Sequence, residues 1–261
     1  MNVTSEVLGL AEDANTHTPL GQGQERVVTD RFVLWMGNGP EAHWNVAQRF
    51  RFDPDAVDEV IAEVHAVLEE RGRRACTWEV GSSARPFDLP ERLLERGLDW
   101  DEPEPLQIGM VLDQTPPPVA PGVAVRIVET LGDYAASERI AHECFGIGPP
   151  SQEAVEGGFA RYEPRSSRRY LASMGGEDAA GASATFTPHG VVLNTGSTLP
   201  AFRGRGLYRS LVRARWDDAV AAGTPVLVTQ AGRMSHPILE RAGFCEVCRI
   251  RALLDRFGER G

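Results

Sequence analysis

Leu199-Pro-Ala-Phe-Arg203-Gly204-Arg205-Gly206-Leu207-Tyr208 is the stretch on which the reading of this chain turns. It follows an alternating segment that ends at Leu199. It precedes a helical one, Leu207 to Ala222, stopped by Gly223. Glycines at a strand-to-helix junction let successive amides turn toward one point, and the helix N-terminus adds partial positive charge. Together they suit a pyrophosphate. A P-loop would need Lys-Ser/Thr after the glycine, and the chain has no lysine at all. A dinucleotide fingerprint would need GxGxxG early in a βαβ unit with an acid about 20 residues on, and that spacing is absent.

Around this stretch the spacing predicts a second half rich in short elements. Val123–Val128 reads as a strand, Tyr134–Cys144 and Gln152–Tyr162 as helices, and Arg169–Met174 as a strand. Ala179–Thr187 and Gly190–Leu199 read as a hairpin turned at Pro188-His189-Gly190. Val226–Ala231 is a buried strand, Pro237–Ala242 a short helix, and Phe244–Leu254 a last strand. Upstream, Val57, Val60, Ile61, Val64 and Leu68 make a helical stripe within Asp53–Arg71. Ala75–Val80 follows as a strand and Pro90–Arg96 as a helix. Helix, Gly72, strand, helix, Gly97-Leu98 recurs as helix, Gly223, strand, helix, Gly243-Phe244, which suggests a duplication. Pro116–Pro118, with Pro121 beyond, reads as an extended linker. The expected division is therefore 1–115 (with 1–25 a flexible tail), a linker at 116–122, and 123–261.

Composition narrows the function. All 27 basic residues are arginine, so lysine Schiff-base and lysine acid/base chemistry are excluded. Residues 1–118 carry 22 acids and 10 arginines; the rest carry 15 and 17, which gives −12 and +2 and the total of −10. An acidic chain is a poor nucleic-acid partner, while a small phosphate-bearing ligand suits the second half. No apolar run is long enough to span a bilayer, and the first 24 residues show no secretion signal, so a cytoplasmic location is expected. Cys76, Cys144, Cys245 and Cys248 are then expected as reduced thiols. Cys245 and Cys248 sit three apart in a strand and point to opposite faces, so no metal site is expected there.

The quoted stretch, with the strand before it and Ser235-His-Pro-Ile-Leu-Glu-Arg-Ala-Gly-Phe244 after it, resembles the GNAT superfamily of acyl-CoA-dependent N-acyltransferases. The family pattern is Arg/Gln-x-x-Gly-x-Gly/Ala, and Arg203-x-x-Gly206-x-Tyr208 departs from it only at Tyr208. The resemblance covers Val123–Leu254. Trp78-Glu-Val-Gly-Ser-Ser-Ala-Arg-Pro86 and Glu91–Gly97 give the first half the look of a degenerate GNAT-like partner. The implied fold is a mixed-sheet α/β protein of two GNAT-like halves, the second complete. The implied co-substrate is acetyl-CoA or another acyl-CoA, without a metal, and the implied acceptor is an amine on a small molecule or peptide. The amides of Arg203, Gly204, Arg205, Gly206, Leu207, Tyr208 and Arg209 would hold the pyrophosphate. Thr198 and Leu199 would meet the pantetheine arm, the Leu199 amide donating to it, and Ser235 would stand near its sulfur. Tyr208 and Leu211 are read as packing residues.

The family's usual proton-transfer groups are missing. Val191–Thr198 holds no carboxylate, with Leu193 and Asn194 at the expected place, and Leu239 stands where a tyrosine would serve as the acid. Asn194, Ser235, His236 and Tyr162 remain as candidate substitutes. His142, His189 and Cys144 are weaker ones, better read as packed or surface groups. Arg161, Arg165, Arg168 and Arg169 read as a solvated charge run. The leading expectation is acyl transfer to an amine by positioning and backbone donation. The alternatives are a non-catalytic acyl-CoA-binding or sensing module and transfer from a carrier-protein pantetheine thioester.

Overall fold

The alternating and helical stretches of the sequence become elements in the computed structural model, which describes residues 3–162, 164 and 166–258. The first stretch forms α1 (Ser5–Glu12), α2 (Ala14–His17), β1 (Glu25–Val28), β2 (Val33–Met36), β3 (Asn45–Gln48), α3 (Val57–Glu69), β4 (Ala75–Gly81), α4 (Leu89–Glu95), β5 (Asp99–Trp100) and β6 (Leu106–Leu112). There follow β7 (Val123–Ile127), α5 (Leu131–Phe145), α6 (Gln152–Ala160), β8 (Ser167–Met174), β9 (Glu177–Thr187) and β10 (Gly190–Thr198). The chain ends with α7 (Leu207–Ala221), β11 (Leu227–Ala231), α8 (His236–Arg241) and β12 (Cys245–Arg256). This is the mixed α/β architecture expected, and the helix ends follow the sequence signals. Thr130 and Ser151 accept from the amides of Asp133 and Ala154, and α5 ends on Gly146 in the left-handed conformation.

The chain divides into two compact units. One comprises Val111–Thr229 and Leu239–Cys245. Its strands run in the order β11-β10-β9-β8-β7, antiparallel except for β10 with β11, which α7 connects. Leu207, Leu211, Val212, Trp216 and Ala219 form the buried stripe of α7. Fully burying one such leucine contributes about 2 kcal/mol. The proline run does not stand free in this unit: Arg213 Nη1 donates to the Pro116 carbonyl (3.2 Å) and the Ala120 amide to Ser210 Oγ (2.9 Å).

The other unit holds the described residues up to Met110 together with Gln230–Ile238 and the chain from Glu246 onward. Its strands run β1-β2-β3-β4-β12, with β6 beyond β12 and β5 also on β12. β3 and β4 are parallel, and α3 connects them. The division expected from the proline run thus differs from the observed one in where the last strand goes. β12 pairs antiparallel with β4 from Ile250↔Gly81 to Arg256↔Ala75, and Leu253 and Phe257 join the core of Trp78, Phe50 and Leu68. A strand long enough to offer seven registered partners pairs wherever an open edge stands, and chain order does not choose the edge.

The expectation of a flexible tail at 1–25 is also corrected. Thr4 caps α1, whose Val7, Leu10 and Ala11 are buried, because its apolar residues recur at helical spacing and find a surface to cover. Cys245 is exposed and Cys248 buried, as opposite faces of one strand require. Among the described residues, no helix is long and apolar enough to cross a membrane.

Candidate functional site

In the unit that carries β7 to β10, the parallel pair β10 and β11 stays in register for only Val191↔Leu227 and Val192↔Val228. Beyond these the strands no longer pair, and Thr229 Oγ1 donates to the Leu193 carbonyl (3.2 Å) where the pairing ends. On the other edge of β10 the register to β9 shifts between Asn194 and Gly196. The extra residue, Thr195, has φ +31°, a strained setting for a β-branched residue. Its hydroxyl lies 2.8 Å from Ser183 Oγ, which also donates to the Asn194 carbonyl (3.2 Å). Asn194, Thr195 and Gly196 are exposed on the part of β10 that has left β11.

The glycine-rich stretch follows. Pro200–Phe202 makes a 3-10 turn, after which Gly204 (φ +76°) and Gly206 (φ +87°) both take left-handed backbone. A Cβ on Gly206 would also lie 2.7 Å from Ala120 Cβ, so glycine is required twice over. The amides of Gly204 to Arg209 make no hydrogen bond among the described residues. Six consecutive free amides at the start of a 15-residue helix form an anion cradle. The exposed side chains of Arg203, Arg205 and Arg209 add positive charge.

Several expected contacts are placed differently. The Leu199 amide donates to the Ala179 carbonyl (2.9 Å), so it is not free for a pantetheine arm; β9 reaches that far along its partner. The Arg203 amide donates to Pro200 (3.3 Å) and its Nε to the Thr198 carbonyl (3.1 Å), which takes this residue out of the cradle's backbone. Tyr162 accepts the Arg169 amide at its hydroxyl (2.8 Å) and packs on Tyr134 and Phe159; burial pushes its phenol above the ordinary value. That makes it a bracing group. Asn194 donates to Thr185 Oγ1 (3.0 Å).

Ser235 and His236 group with the other unit, where Ser235 Oγ donates to Gly232 O (3.2 Å) and His236 Nε2 lies 2.6 Å from Glu246. The His142 ring bonds the Gly148 carbonyl (2.5 Å) and the His189 amide donates to Thr187 Oγ1 (3.3 Å). Cys144 is half-buried beside Arg203, and burial raises its thiol. Arg168 pairs with Asp218 and Arg169 with Glu138; Arg165 lies outside the described residues.

One group escaped the sequence reading. Arg215 on α7 is 1% exposed, its Nε donating to Leu211 O (3.0 Å) and its Nη1 to Ser183 O (3.2 Å). Nη2 is buried and has no hydrogen-bond partner among the described residues. The signal was available, since Leu207, Leu211 and Arg215 recur every four residues and place a cation on the apolar stripe.

In the other unit β3 and β4 repeat the geometry and then cancel it. Val46↔Thr77 and Ala47↔Trp78 pair, and Arg49 follows at φ +55°. The gap is then filled. Gln48 donates to Glu79, the Arg49 amide to Asp13 (3.3 Å), and the Ser83 amide and hydroxyl to Glu12. Arg51 bridges Arg85 beyond it, closing the strands again. Burial pushes the carboxyl of Glu79 up to about 7 and, with neighbouring Glu12, that of Asp13 to about 6.

The class this geometry defines is the GNAT fold, and comparison with solved structures bears that out. The chain is similar to a GCN5-related N-acetyltransferase from Kribbella flavida, at 17% identity and a TM-score of 0.73, with 100% of this chain and 98% of that one covered. It is also similar to a tandem GNAT protein of the clavulanic acid biosynthesis pathway (15%, 0.63, 100% and 98%). A third match is a GCN5-related N-acetyltransferase from Sphaerobacter thermophilus (16%, 0.63, 97% and 92%). No protein-family model and no curated protein matches the sequence. The whole chain therefore has the fold of the GNAT proteins.

Proposed function

We propose that the chain transfers an acyl group, acetyl foremost, from CoA to the amine of a small molecule or peptide. The observation that carries this is the run of free amides from Gly204 to Arg209, beside a strand pair that opens after Val192 and Val228. A pyrophosphate on the cradle would let its pantetheine arm extend along the unpaired β10 edge. Transfer would rest on holding amine and thioester together, an effect worth several kcal/mol before any side-chain chemistry. The unit that carries β3 and β4 fills its matching gap with its own side chains, which favours one acyl-CoA per chain.

A second reading, a non-catalytic acyl-CoA-binding module, is favoured by one feature: Leu239 is buried and Asn194 is neutral where proton-moving groups are expected. Calorimetric titration with acetyl-CoA, then thiol release with a panel of amines, separates the two. Binding with turnover is expected. Binding without turnover selects the module, and no binding removes both.

A further inference from the structure

A buried guanidinium without a counter-ion is costly, and Arg215 has no carboxylate partner among the described residues. The interactions that oppose its burial come from phenols, Tyr208 and then Tyr170, with no carboxylate among them. Tyr170 is already committed, donating to Asp218 (2.7 Å), which also pairs with Arg168. Tyr208 stands in the first turn of α7, its own amide part of the cradle. Its ring is close enough to Gly196 that a Cβ there would lie 2.6 Å from the ring edge, and the Arg215 guanidinium lies 5.9 Å from the ring centre. Gly196 belongs to the exposed stretch of β10 beyond Val192, so the ring packs on the part of β10 that has left β11. The bulky Tyr208 and the bare Gly196 are thus a matched pair.

Building on the acyl-transfer reading, we propose that Tyr208 is the proton donor to the departing thiolate, with Arg215 a positioning residue that holds the phenolate left behind. The amine nitrogen bonds to the thioester carbon and loses its proton to water. The C–S bond breaks with its electron pair going to sulfur, and sulfur takes the phenolic proton. The phenolate remains beside Arg215 until water returns a proton. This gives the uncompensated cation a partner during turnover and replaces the acid missing at Leu239.

The test is steady-state kinetics of Tyr208→Phe with acetyl-CoA and the best amine found. kcat is expected to fall roughly 10²-fold or more, while the calorimetric affinity for acetyl-CoA stays within about twofold, since the cradle uses backbone. Fluorotyrosines of graded acidity at 208 add a readout that packing would not move: kcat follows the phenol's acidity. Arg215→Met lowers kcat and Arg215→Lys restores part of it. A Tyr208→Phe enzyme with kcat within threefold of wild type, or fluorotyrosine rates indifferent to acidity, overturns the assignment while acyl transfer stands. Wild-type protein that binds acetyl-CoA but releases no thiol with any amine overturns both.

Discussion

Gly206 bears two constraints at once, a left-handed backbone and the nearness of Ala120. Gly206→Ala puts a side chain where φ is +87°, at a cost of about 1–2 kcal/mol, and pushes the 116–122 segment off α7. The expected outcome is a lower melting temperature and acetyl-CoA affinity reduced at least about tenfold, as the amides swing out of line. Calorimetry on the variant reads this, and undiminished affinity would remove the cradle from the account. At the same scale, Tyr162, Ser235 and His236 each make a hydrogen-bond contact within the chain. Tyr162→Phe, Ser235→Ala and His236→Gln should each keep thiol release within about tenfold of wild type, against the roughly 10²–10⁴ that a true acid or base commands. A larger loss in any one of them would identify a proton-transfer group.

Two strand pairs with the same parallel start end in opposite ways, and the difference lies in side chains. Past Val192 the β10 edge carries Asn194, Thr195 and Gly196 and stays open. Past Ala47 the β3 edge meets Glu79, Asp13 and Glu12 and is closed by Arg51 and Arg85. The closure has a pH signature. Glu79 and Asp13 hold protons in the folded chain up to about 7 and about 6, well above their unfolded values. Across the interval from about pH 4 to 7 the folded state therefore binds more protons than the unfolded one, and stability falls as pH rises. Glu79→Gln and Asp13→Asn keep a neutral group and remove that titration. Their melting temperatures relative to wild type should be higher at pH 8 than at pH 5, measured in matched ionic strength. Equal differences at both pH values would show that these carboxyls do not titrate with folding.

For the whole molecule, the path of β12 sets what can fold alone. Residues 1–115 lack the strand that pairs with β4 along its whole length and the Leu253 and Phe257 that enter its core. Expressed by itself, 1–115 should melt without a cooperative transition, as followed by tryptophan fluorescence of Trp78. Cooperative unfolding of that fragment would show that β12 is dispensable to it. Full-length chain should bind acetyl-CoA at one site, and a calorimetric stoichiometry of two would show that the gap beside Glu79 opens.

The local elements were written in the chain itself. The α3 stripe, the β9–β10 hairpin and the cradle followed from spacing and from glycines at two positions that need left-handed backbone, because such signals act over a few residues. The residues 204–209 were legible for the same reason. The sequence could not show that the Leu199 amide is taken by Ala179 or that Thr195 is the bulged residue. Nor could it show that Arg215 lies buried against phenols. Apart from Tyr208, seven positions before Arg215, those depend on partners 12 to 45 positions away, chosen when the sheet assembles. The same holds for the last strand. Its alternation announced a strand, but hydrogen bonding is available to any open edge, so only the tertiary structure decided that β12 completes the sheet begun by the first half.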